Sequence, residues 1–82
     1  MNFPIKVGDW VIATRDLIHM RIKKGMVGRV LEMGIDGISI EFVDDVGGHG
    51  CGGKGKYGHC WWWFNPIYLK KISKKEAVLY AL

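Results

Sequence analysis

Residues 38–43 read Ile38-Ser39-Ile40-Glu41-Phe42-Val43. Apolar and polar side chains alternate, which is the period of a strand with one dry face. Ile38, Ile40 and Phe42 are expected to face a core, and Ser39 and Glu41 to face water. Asp36-Gly37, just before this run, is a strong hairpin signal. The other arm of that hairpin is Met26-Val27-Gly28-Arg29-Val30-Leu31-Glu32-Met33, opened by Gly25. Further towards the N-terminus, Gly8-Asp9 opens Trp10-Val11-Ile12-Ala13-Thr14. Val11 and Ala13 fall on one face of that strand, and Trp10 and Ile12 on the other. Between the first two strands, Leu17 to Lys24 sets Leu17, Ile18, Met20 and Ile22 among charges. This stretch is too basic and irregular for a core strand, so it reads as a long loop packing back on the body.

Downstream, residues 44–58 form a second long loop holding seven glycines, Gly47 to Gly58. Glycine costs backbone entropy and packs nothing, so a loop this rich in it suggests a function or a bound ion. His59-Cys60-Trp61-Trp62-Trp63-Phe64 is strongly β-prone, and Asn65-Pro66 ends it with a single turn at 66–68. Leu69-Lys70-Lys71-Ile72 reads as a last short strand with Leu69 and Ile72 inward. Ser73-Lys74-Lys75-Glu76 matches a capping box, and about two turns of helix are expected after it. The expected fold is all-β: a small SH3-like barrel of about five strands over residues 1–72. A short C-terminal helix or tail occupies residues 73–82.

The chain has 82 residues, enough for one domain with a small core. A composition 49% hydrophobic and 12% aromatic excludes a disordered chain. No stretch approaches the ~18 uninterrupted apolar residues of a membrane span, and the N-terminus lacks an apolar signal core. A soluble, cytoplasmic domain without a membrane partner is the expectation. The net charge of +4 is uneven, with −1 over residues 1–46, +2 over 47–64 and +3 over 65–82. The excess sits in the glycine loop and the C-terminal end, where phosphate or an acidic protein surface would be attracted.

Two segments carry a resemblance. Val7-Gly8-Asp9-Trp10-Val11, followed by Gly25-Met26-Val27-Gly28-Arg29-Val30, resembles SH3-like barrels, including KOW-type and Mind bomb-type domains. Gly48-His49-Gly50-Cys51, Gly58-His59-Cys60-Trp61-Trp62 and Pro66 to Leu69 resemble small SH3-like proteins of bacteriophage and bacterial origin. The resemblance covers roughly residues 5–72. It implies a binding module, for example a phage accessory protein engaging a host protein in the bacterial cytoplasm.

His49, Cys51, His59 and Cys60 are the residues with metal-ligand chemistry, and thiolate and imidazole both suit one structural zinc ion. Their spacing is unlike paired Cys-x₂-Cys ligands, and adjacent strand residues point to opposite faces. The competing reading makes His49 a solvated loop residue, Cys60 a small core residue and His59 a strand-edge hydrogen-bonder. A Cys51–Cys60 disulfide is a further alternative. Catalysis is not expected: Cys51 has histidines near it, but no orienting third residue and too little mass for a cleft.

Strict alternation sends Trp61 and Trp63 to one face and Trp62 to the other with Cys60 and Phe64. A barrel this small cannot bury every tryptophan. The expected partner surface is therefore Trp61, Trp63, Tyr57 and Tyr68 beside Arg29, Lys54 and Lys56. A host or bacterial protein is the first expectation for its partner. Nucleic acid, in the manner of KOW domains, is the alternative, and a zinc-stabilised structural domain is the third reading.

Overall fold

The structure is a computed structural model that describes residues 5–34, 37–44, 46–47 and 59–81. Five strands form one antiparallel sheet: β1 (Trp10–Ala13), β2 (Val27–Met33), β3 (Ile38–Phe42), β4 (Cys60–Phe64) and β5 (Leu69–Ile72). Their order is β4-β3-β2-β1-β5, so the last strand returns to pair with the first. Trp10 lies opposite Ile72, and Ala13 opposite Leu69. A 3₁₀ turn at Pro66–Tyr68 links the two outermost strands, at the position where Asn65-Pro66 breaks the aromatic run. Asn65 caps the turn by accepting the Ile67 N–H, and Pro66 supplies the fixed φ that starts it. The all-β expectation holds. The glycine loop expected at 44–58 lies almost wholly outside the described residues.

One face of the sheet builds the main core. Val11 and Ala13 of β1, Val30 of β2, Ile38, Ile40 and Phe42 of β3, Phe64 of β4 and Leu69 of β5 form one buried cluster. Ile5, Ile22 and Val46 join it from outside the strands. All five strands therefore contribute to a single interior, and Phe64 and Tyr68 meet edge to face at 6.3 Å across the turn.

The opposite face is not left to water. An eight-residue helix, α1 (Lys74–Ala81), lays Ala77 against Val27 and Ile72, with Trp10, Ile12 and Val43 packed around them. The capping box forms as expected: Ser73 Oγ accepts the Glu76 N–H at 3.1 Å, and Glu76 Oε1 accepts the Ser73 N–H at 3.3 Å. Two expectations are corrected here. Leu69 and Ile72 are both buried, but three residues apart on a strand they point to opposite faces, and Ile72 is covered by the helix. Ser39 and Glu41 do lie opposite Ile38, Ile40 and Phe42, yet they are buried at 8% and 7% exposure rather than facing water.

Two bulges explain another departure. Ile40 opposes Trp61 and Ile38 opposes Phe64, so two steps on β3 match three on β4. On the other side, the β2–β3 register shifts between Val30 and Glu32. The extra residue in β4 resets its alternation. Trp61 and Phe64 consequently both pack on the main core, whereas strict alternation separates them. Cys60, fully buried, lies across from Glu41.

Candidate partner-binding surface

The first loop, residues 14–26, is closed at its base by Gly25 N–H to Ala13 O and Ala13 N–H to Met26 O, both 2.9 Å. Within it, Leu17 and Ile22 pair as an isolated bridge, with N···O distances of 2.8 and 3.1 Å. The chain between them turns through a 3₁₀ segment at Ile18–Met20, and Arg21 leaves that turn in the left-handed conformation at φ 57°. This backbone sorts the four apolar residues of the loop. Ile22 enters the core at 1% exposure, and Leu17 and Met20 pack against the core. Ile18 is held outward at 84% exposure. The loop thus packs on the body as expected, but one of its large apolar side chains is presented to solvent by an ordered turn.

The loop is also tied to the Pro66–Tyr68 turn. Thr14 donates twice to the Tyr68 carbonyl, from N at 2.9 Å and from Oγ1 at 3.0 Å. The Arg15 guanidinium sits over the Tyr68 ring, 5.6 Å from its centroid. Tyr68 is half-buried, and Ile67 beside it is 55% exposed. First loop and turn are therefore two parts of one bonded surface.

Trp61 and Arg29 are the other described residues of the expected partner surface. Trp61 is half-buried against the core, and its indole N–H is buried without an acceptor among the described residues. Its packing against the core suits a ring closing it. Arg29 lies on the opposite face of the sheet, over Trp10 at 5.3 Å, with Nε 3.4 Å from the Gly8 carbonyl. The side chain of Trp63, and Tyr57, Lys54 and Lys56, lie outside the described residues.

Cross-strand pairing puts Ile72, Trp10, Arg29, Glu41 and Cys60 in one row across all five strands. At its end, the Cys60 thiol donates to Glu41 Oε2 at 3.6 Å. Of the four residues with metal-ligand chemistry, His49 and Cys51 lie outside the described residues. His59 is half-buried, and its carbonyl accepts the Phe42 N–H at 3.0 Å. Among the described residues, no three His, Cys, Asp or Glu side chains converge on one point.

Reading the residues alone missed Arg15 and Glu41, and it left Leu17 and Ile18 as equal candidates for an exposed apolar residue. Ile18 resembles its three apolar neighbours in composition, and only the turn geometry separates it from them. Glu41 sits at the polar phase of an alternating strand, and its burial beside Cys60 depends on strand pairing that its own segment does not encode. Comparison with family models, curated proteins and solved structures returns no match for the chain.

Proposed function

We propose that the chain is a non-catalytic protein-binding module whose contact surface is the first loop together with the Pro66–Tyr68 turn. The observation that carries this is Ile18, 84% exposed at the tip of a loop fixed by its own backbone bonds. Removing such a side chain from water is worth roughly 1.5–3 kcal/mol. The loop is already ordered, so a partner that covers it meets little further entropy cost. The half-exposed Ile67 is a second apolar side chain open to solvent, on the turn bonded to the base of the loop.

The resemblance to phage and bacterial SH3-like proteins makes a bacterial host protein the partner class. The strand order, with the last strand beside the first and a 3₁₀ turn before it, is compatible with that resemblance. Protein is favoured over nucleic acid by the two described stacks. Guanidinium groups cover faces of Trp10 and Tyr68 that bases would need.

The test is affinity capture from bacterial lysate with wild-type chain and Ile18→Asp, each with and without nuclease, read by mass spectrometry. A protein retained by wild type after nuclease and lost with Ile18→Asp is the expected result. Capture that disappears with nuclease, or that ignores Ile18→Asp, overturns the reading.

A further inference from the structure

The first loop encloses an open groove of about 490 Å³, lined by Asp16, Ile18, Arg21, Ile22, Lys23 and Met26. Its lining is apolar at Ile18, Ile22 and Met26 and charged at the other three residues. Ile22 forms an immobile floor, being part of the main core. One wall is closed by Met26, whose N–H binds the Lys23 carbonyl at 3.1 Å and whose sulfur accepts the Lys23 N–H at 3.4 Å.

The charges do not cancel. Asp16 is engaged by the loop itself, since its Oδ1 accepts the Lys24 N–H at 2.8 Å. Among the described residues, Arg21 and Lys23 have no carboxylate within 4.0 Å, and the Lys71–Asp9 ion pair involves no residue of the groove. Arg21 is nevertheless positioned. It keeps a left-handed backbone that arginine adopts at a cost. Its side chain runs over Gly47, where a Cβ would stand 2.9 Å from Nη1. A loop that holds an arginine this way beside a fixed apolar floor has the parts to read two features of a ligand at once.

We infer that this groove takes a peptide segment in which a carboxylate side chain flanks a branched apolar one. The apolar group would sit on Ile18, Ile22 and Met26, and the carboxylate on Arg21 and Lys23. Guanidinium matches carboxylate in a two-pronged geometry, and paired cations around an apolar floor reject a basic segment. This inference rests on the binding-module reading and names the chemistry of its partner.

The probes are three fluorescein-labelled hexapeptides: four glutamates with two leucines, four lysines with two leucines, and four glutamates with two serines. Binding is followed by anisotropy and by amide shifts of the ¹⁵N-labelled chain. The glutamate–leucine peptide is expected to bind, moving the amides of Ile18, Arg21, Ile22, Lys23 and Met26. The serine peptide should bind about tenfold more weakly, as loss of apolar burial implies, and the lysine peptide not at all. The double variant Arg21→Gly/Lys23→Gln should lose about tenfold for the glutamate–leucine peptide, as loss of charge-assisted contacts implies. Glycine accepts the left-handed backbone at residue 21, so this variant retains the loop.

Equal binding of the acidic and basic peptides, unchanged affinity in the double variant, or shifts outside the loop overturns the inference. Displacement of the peptide from the same amides by a thymidine oligonucleotide of higher affinity overturns it in favour of nucleic acid. The two readings fail separately. If no peptide binds but Ile18→Asp still abolishes partner capture, the groove chemistry is wrong and the module stands. If the peptide binds while capture ignores both Ile18→Asp and the double variant, the groove stands and the module reading falls.

Discussion

Gly28 is the second residue of β2, buried, with Val11 across from it on β1 and Phe42 on β3. A methyl group there would stand 2.9 Å from the Glu41 carbonyl oxygen and 3.1 Å from Ile40 Cγ1 and Cδ1. Ile40 is wholly buried, and the Glu41 carbonyl belongs to the β3 backbone, so neither can step aside cheaply. Gly28→Ala therefore overpacks the sheet, at a cost of typically 1–3 kcal/mol. Against that, alanine loses less entropy on folding, which returns about 0.4–1 kcal/mol. A net loss of about 1.5 kcal/mol is expected, and in a domain of this size it lowers Tm by roughly 6–12 °C. Gly8→Ala is the control. Gly8 has φ +89° and nothing within 4 Å of an added Cβ, so its cost is backbone strain alone, about 1–2 kcal/mol. Thermal and urea unfolding of the two variants separate the mechanisms. Val11→Ala, which makes room on the β1 side, should not rescue Gly28→Ala, whereas Ile40→Val should partly restore it. A Gly28→Ala protein as stable as wild type, or one that Ile40→Val fails to help, would refute the packing of β2 on β3 described above.

Five further outcomes are expected. Ser73→Ala removes the hydroxyl that accepts the Glu76 N–H and should cost about 1 kcal/mol, read as a fall in Tm with loss of helical signal. Ile22→Ala should cost about 2–4 kcal/mol in urea unfolding, the penalty of a core residue although it lies in a loop. Ile18→Ala, four residues earlier, should leave stability within about 0.5 kcal/mol. Lys71→Ala should change stability by less than about 0.5 kcal/mol, since the lysine is half exposed. Asp9→Ala should cost more, because Asp9 Oδ2 also accepts the Lys6 N–H at 2.9 Å.

The alternation of residues 38–43, the break at Asn65-Pro66 and the Ser73–Glu76 capping box are local signals, and each appears in the structure where the residues place it. What escapes a residue-by-residue reading is what depends on a second partner. Glu41 obeys its strand period and still ends up buried, between Arg29 of β2 and Cys60 of β4, whose thiol donates to its carboxylate. Ile72 looks like Leu69, yet it needs the C-terminal helix to be covered.

The aromatic run shows the sharper limit. Nothing in Cys60-Trp61-Trp62-Trp63-Phe64 marks where an extra residue enters the ladder, since the bulge is set by the register against Ile38 and Ile40. One inserted residue moves Phe64 onto the face of Trp61, and with that shift the expected aromatic contact surface changes its composition. Arg29 is separated from Trp61 by the same pairing, because it shares the phase of Glu41 and not that of Ile40. Among the described residues, the surface proposed above is the first loop and the Pro66–Tyr68 turn. There the sequence had supplied basic and apolar residues in equal confusion, and the left-handed turn at Arg21 is what sorts them. The formal charge follows the same logic. Although residues 1–46 sum to −1, the loop between β1 and β2 is locally basic, so the carboxylate proposed above would meet its cations in the half of the chain whose total charge conceals them.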